Sequence, residues 1–170
     1  MNEAEITDTL SMGCWSELEK VHIDSGWQAK KITASGSEFA VYFNEQHQGD
    51  VNWPLIGDFN IDNGLMAIAA ARHAGVPAAI AIEALAEFVN TKRRLELLAS
   101  VNNIHVYDDF AHHPTAIAKT LTAMRDAVGD NRVIAVLEPR SNTMKSGIHK
   151  QELPRSLAQA DMVYIYQGVD

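Results

Sequence analysis

Cysteine is almost absent, with Cys14 the only one in 170 residues. An internal disulfide and a cysteine-based zinc cage are both excluded, and a reducing cytoplasm is the expected compartment. Basic residues are also scarce: 14 Lys and Arg stand against 22 Asp and Glu, a net charge of -8. That balance argues against nucleic acid or an anionic membrane as the main partner, while leaving room for a local anion site where cations cluster. No apolar run has the length of a membrane span, and Leu65–Ala71 stops at Arg72 and His73. Glu3, Glu5 and Asp8 occupy the start, where a secretory signal would carry basic and then apolar residues. A Gly-Lys pair occurs nowhere, so the chain has no Gly-x-x-x-x-Gly-Lys-Ser/Thr loop to wrap nucleotide phosphates.

Apolar residues are plentiful, at 46%, enough to bury a core and to make wholesale disorder unexpected. The first third reads as β structure, in segments Lys30–Thr33, Glu38–Phe43 and Asp50–Leu55. In the middle one, Phe39, Val41 and Phe43 alternate with Ala40 and Tyr42, the period of a half-buried strand. Ser35-Gly36 and Gln48-Gly49 separate the segments, so an antiparallel meander is predicted.

After Gly57 a helical period takes over through Leu65, Ile68, Ala69 and Arg72, with Asn60 or Asp62 as N-cap and Gly75 as the stop. Pro77 opens a second predicted helix, whose Ile80, Ala84, Leu85 and Phe88 form one apolar face. The segment Asn90–Ser100 is charged and then loses periodicity, which places a domain boundary near Ser100: 1–100, then 101–170.

Beyond it the spacing predicts strand Ile104–Tyr107, helix Thr115–Val128, strand Val133–Leu137, helix Gln151–Ala160 and strand Met162–Tyr166. Strand and helix in alternation imply a parallel βαβαβ sheet with right-handed crossovers, a Rossmann-like half. Three strands with nothing beyond suggest a sheet that continues in a longer protein.

Three clusters carry chemistry. Gly57–Asn63 places Asn60 and Asn63 three residues apart at a helix start, on one face. A carboxamide offers a donor and an acceptor together, matching the edge of adenine, although Asn60 also suits plain capping. Asp108–Thr115 follows a strand, at the edge where parallel sheets bind ligands. Its carboxylates suit ribose hydroxyls and its histidines a base or phosphate; a metal site, or histidines that satisfy loop carbonyls, are the competing readings. Glu138–Lys145 also follows a strand and packs one carboxylate, two cations and several small polar groups into one loop. There Arg140 suits bidentate recognition of carboxylate or phosphate, against the alternative of a solvated charged loop. Between the first two clusters lies Arg93-Arg94, able to bridge a phosphate or simply to cover the surface.

In this order the clusters resemble the Mur ligase family of cell-wall biosynthesis. Gly57–Asn63 is similar to the family's Gly-x-His-Asn-x-x-Asn, and Asp108–Thr115 to its Asp-Asp-Tyr/Phe-Ala/Gly-His-His-Pro-Thr. The Gly13–Glu17 run and Glu138–Lys145 resemble the branch that takes a whole murein tripeptide as the amine substrate. The likeness runs from Gly13 to Asp170.

It implies the last part of a central ATPase domain (β-meander plus two helices), followed by the first part of a Rossmann-like C-terminal domain. It further implies ATP with Mg²⁺, UDP-N-acetylmuramate and the tripeptide as reactants, joined through an acyl phosphate. By the resemblance Asn60 and Asn63 contact adenine, Arg94 and Asp109 contact ribose or phosphate, and His112 lies near the nucleotide. Arg140, Asn142 and Lys145 then face the incoming peptide. The family's histidine before the first Asn is Phe59 here, a ring that stacks on a base and donates no hydrogen bond. With no P-loop and none of the family's metal-ligand positions, the chain is expected to be inert by itself. A single-amino-acid ligase and a non-catalytic nucleotide-binding or interaction module are the rival readings.

Overall fold

In the computed structural model, residues 4–139, 144 and 146–166 are described. A short helix α1 (Ala4–Ser11) precedes an antiparallel meander of β1 (Trp27–Lys31), β2 (Glu38–Phe43) and β3 (Gln46–Asn52). The first and third strands start earlier than the sequence reading had them. The β2–β3 turn is Asn44-Glu45, both with positive φ (49° and 64°), and Gln48-Gly49 lies inside β3. A glutamate in that turn hides it from propensity, since type I′ turns favour Asn and Gly. Gly49 sits opposite Val41 beside a register shift, so it marks a bulge within a strand.

Helix α2 (Asp58–His73) begins at Gly57 (φ 93°, ψ 145°) with no side-chain cap, so neither Asn60 nor Asp62 is the N-cap. Its Ile61, Leu65, Ile68 and Ala69 bury against Trp27, Phe39, Val41, Val51 and Trp53 of the sheet region, forming the main core. Arg72 continues that stripe differently: its guanidinium lies 4.3 Å from the Phe43 ring centre and reaches Glu19 at 3.5 Å. Helix α3 (Ala78–Ala86) buries Ile82, with Ala78, Ala81 and Leu85 packed around it. The face read from the sequence is corrected, because Ile80 and Phe88 are exposed. Only nine residues long, the helix ends before Phe88 and lays Ile82 over the space that Gly49 leaves on β3.

The stretch that lost periodicity contains a strand, β4 (Glu96–Val101), paired antiparallel with β5 (Ile104–Asp108). Ser100 therefore lies within a hairpin, whose turn Asn102-Asn103 has two positive φ values (50° and 61°). This departs from the expected three-strand parallel sheet. Among the described residues, β5 pairs with β4, and the parallel ladder consists of β6 (Ile134–Leu137) and β7 (Met162–Ile165). Helix α4 (Pro114–Val128) matches expectation within a residue, whereas the predicted helix Gln151–Ala160 contracts to α5 (Leu153–Ser156). A second, smaller core joins Ile117 and Leu121 of α4 to Val133 and Leu157. The mixed α/β class and the βα order along the chain hold.

Arg125 ties this second unit together. It donates to the carbonyls of Gly129 (2.8 Å), Asn131 (2.7 Å) and Gln159 (3.0 Å) and to Asp161 Oδ2 (2.7 Å). Asp161 also accepts from the Val133 N–H at 2.7 Å. The two bonds, Val133 first and Arg125 second, hold the Asp161 carboxyl below its ordinary value of 3.8. A depressed folded-state value means stability that is present above 3.8 and is lost as pH falls through the lowered value.

The two units meet where α2 begins. A Cβ at Gly57 would stand 2.7 Å from Ala123 Cβ of α4 and 2.7 Å from the Phe59 ring, and Lys31 reaches both Asp58 (2.8 Å) and Asp126 (3.9 Å). Gly57→Ala should cost about 1–3 kcal/mol from the overlap, with backbone strain adding to it, read from urea midpoints. Arg125→Met should cost about 1.5–3 kcal/mol through its lost charged hydrogen bonds. Asp161→Asn should flatten the acid limb of stability against pH below 3.8. An unchanged acid limb would show that Asp161 carries none of it.

Candidate functional site

A cavity of about 580 Å³ opens between the two units, within the range of small-molecule sites (roughly 300–1,000 Å³). Its apolar walls come from Trp53, Leu55, Phe59, Leu85 and Phe88. Its polar groups include Asn60, Asn63, Arg94 and Asp109. Four of the five residues singled out for the nucleotide thus line one space, although 49 positions separate Asn60 from Asp109.

Local folding explains how each arrives. Because α2 starts at Gly57, Asn60 falls in its first turn and Asn63 one turn on. Asn60 Nδ2 donates to the Ile56 carbonyl (2.8 Å), and its Oδ1 faces Asn63 Nδ2 at 3.4 Å. These contacts orient the pair and leave Asn63 Oδ1 and one N–H on each amide for another partner. Phe59 stands where a polar residue would offer a donor; it contributes an apolar edge.

Asp109 follows β5 and is half-buried. Its Oδ2 accepts from the Leu95 N–H (2.8 Å), and its Oδ1 accepts from the Ala111 N–H (2.8 Å), with Thr120 Oγ1 at 3.5 Å. The carboxylate therefore fastens the segment before β4 to the loop after β5. Arg94 is exposed at the cavity's rim and Arg93 pairs with Asp108 at 3.0 Å.

His112 does not line this cavity. Its Nδ1 lies 3.1 Å from the Phe110 carbonyl and its ring packs against Phe110 at 5.2 Å, the local role weighed for it from sequence. His113 caps α4, accepting from the Thr115 N–H at 3.2 Å, and lies edge-on to His149 at 4.5 Å. Among the described residues no group of three or more His, Cys, Asp or Glu can hold a metal ion. Arg140, Asn142 and Lys145 lie outside the described residues.

Sequence reasoning missed Ala116, Lys119 and Thr120 of α4, and Asn90-Thr91 after α3, which complete the lining. A signal for the first three was available: spaced i, i+3 and i+4, they form a stripe beside that of Ile117 and Leu121. Nothing in the local pattern marks Asn90-Thr91.

Comparison with known proteins accords with this geometry. Residues 93–170 match the family model of the Mur ligase glutamate ligase domain. Over 167 residues the chain is 54% identical to the UDP-N-acetylmuramate–L-alanyl-γ-D-glutamyl-meso-2,6-diaminoheptandioate ligase of Escherichia coli, covering 98% of this chain and 36% of that protein. The Haemophilus influenzae ligase of the same name is 50% identical, with 98% and 37% covered. A crystal structure of a murein peptide ligase from Psychrobacter arcticus superposes with a TM-score of 0.64 at 44% identity, over 98% of this chain and 36% of that one. The chain thus spans little more than a third of the length of the curated relatives it matches. In the described residues no helix is long and apolar enough to cross a membrane. On its motifs, its domain match and these relatives, the chain belongs to the Mur ligase family.

Proposed function

We propose that this chain forms part of the nucleotide-facing cleft of an ATP-dependent ligase. The ligase would join UDP-N-acetylmuramate to L-alanyl-γ-D-glutamyl-meso-diaminopimelate in cytoplasmic recycling of cell-wall peptide. The observation that carries the reading is the single cavity shared by Asn60, Asn63, Arg94 and Asp109. The names of the relatives supply the substrates. In this reading the meander with α2 and α3 belongs to an ATP-binding domain, and the chain from the β4–β5 hairpin onward belongs to a Rossmann-like one. The boundary read near Ser100 thus moves ahead of that hairpin, and the cleft between the two holds the base.

The residues fit an adenine nucleotide in kind. Phe59 and Phe88 offer apolar faces, Asn63 offers a donor and an acceptor on its edge, and Arg94 offers a cation for phosphate. In the reaction ATP supplies a phosphoryl group to the muramyl carboxylate, and the tripeptide amine displaces it. The part that falls to these residues is holding the base and steering the phosphates. Asp109 contributes indirectly: both its oxygens accept backbone N–H groups, Oδ1 is also approached by Thr120 Oγ1, and Oδ2 keeps a lone pair for a ribose hydroxyl. Arg140, Asn142 and Lys145 are assigned to the peptide's carboxylates and His112 to the nucleotide's surroundings. Among the described residues no group of three or more His, Cys, Asp or Glu is placed to hold Mg²⁺.

Two outcomes test the reading. Without a Gly-Lys phosphate loop the purified chain should bind ATP only weakly, at best around millimolar, and turn none over. Turnover that survives repurification would refute the claim of inertness. Asn63→Ala should weaken ATP binding by about 0.5–1.5 kcal/mol, roughly two- to tenfold, with thermal stability unchanged because the side chain is exposed. A loss of stability with ATP affinity intact would make Asn63 a structural residue only.

A further inference from the structure

The two adjacent arginines beside the cavity have unequal surroundings. Arg93 is engaged: its Nε donates to Asp108 Oδ2 at 3.0 Å, and its guanidinium lies 4.9 Å from the Phe110 ring centre. Arg94 lines the cavity, and its guanidinium makes no hydrogen bond or ion pair among the described residues.

The backbone that presents Arg94 is unusual. Arg93 has φ 61° and Leu95 has φ 49°, the left-handed region that side chains with a Cβ enter only at a cost. Such a conformation persists where its surroundings overdetermine it. Here they do so from three sides. The Arg93 N–H donates to Glu96 Oε2 at 2.8 Å and the Leu95 N–H to Asp109 Oδ2 at 2.8 Å. The Phe110 N–H donates to the Arg93 carbonyl at 2.8 Å, and Asn90 Nδ2 donates to the Arg94 carbonyl at 2.8 Å. With the Arg93 side chain also occupied, Arg94 is the member of the pair left for an anion, and Lys119 is the other cation lining the cavity.

We propose that Asn90 and Glu96 are positioning residues that set the 93–95 turn so that Arg94, and not Arg93, meets the polyphosphate of a bound nucleotide. The inference rests on the nucleotide reading and adds to it the residues that hold its cation in place. Glu96 acts as an acceptor for a backbone N–H, so an amide oxygen serves in its place. Asn90 acts as a donor to a carbonyl, which alanine and aspartate cannot replace.

The test is a titration of the ¹⁵N-labelled 170-residue chain with ATP to about 20 mM, following amide shifts of the cavity residues. Arg94→Ala should weaken binding about tenfold, and Arg93→Ala by no more than about twofold. Asn90→Ala and Glu96→Ala should each weaken it roughly three- to tenfold, and Glu96→Gln should restore it. In an Arg94→Ala background, Asn90→Ala should add nothing, because it acts only through that arginine. Loss with Arg94→Ala but none with Asn90→Ala or Glu96→Ala would overturn the positioning role and leave the nucleotide reading intact. Absence of ATP-induced shifts in the parent chain would overturn the nucleotide reading and this inference with it. Hydrogen exchange of the Arg93 and Leu95 amides supplies a readout free of ligand: slow exchange is expected, and rapid exchange in the parent chain would overturn the proposal.

Discussion

The carboxylate of Asp109 accepts one backbone N–H from Leu95, before β4, and another from Ala111, before α4. It therefore closes the β4–β5 hairpin at its open end and fixes where the chain turns toward the helix. The cost of holding Leu95 in a left-handed conformation is met by this charge-assisted bond. Arg94 and Thr120 take their places relative to that one group, and so does the far wall of the cavity. A solvated carboxylate on a loop would have organised none of this.

Around that fastening, two cores do different work. The first is large and dry, with Trp27, Phe39, Val41, Leu65 and Ile68 essentially inaccessible. It makes α2 a rigid platform for Asn60 and Asn63. The second is small, resting on Ile117, Leu121, Val133 and Leu157, and is supplemented by Arg125, whose hydrogen bonds satisfy loop carbonyls that apolar packing cannot reach. Precision in the first unit comes from burial, and in the second from directed polar bonds.

Much of this was legible in the residues. Alternation in Glu38–Phe43 gave β2, and the spacing of Leu65, Ile68 and Ala69 gave the buried stripe of α2. The grouping of Asn60, Asn63, Arg94 and Asp109 came from motif resemblance, and the four do share a space. What was not legible depended on tertiary partners. Glu96–Val101 carries no alternation of burial, its residues from Leu97 to Val101 all being exposed, so only its pairing with β5 makes it a strand. Gly57 caps α2 through its own dihedrals, and local preference pointed to Asn60 because Asn is a favoured cap. The short α5 and the small face of α3 reflect what they pack against more than their own periodicity.

The cavity draws its lining from both units, α2 on one side and α4 with the 90–94 segment on the other. A molecule that fills it is in effect a reversible cross-link between them. By mass action, each tenfold excess of such a ligand over its dissociation constant adds about 1.4 kcal/mol to the assembled form. Occupancy of the cleft and docking of the two units are then one equilibrium, observed from two sides.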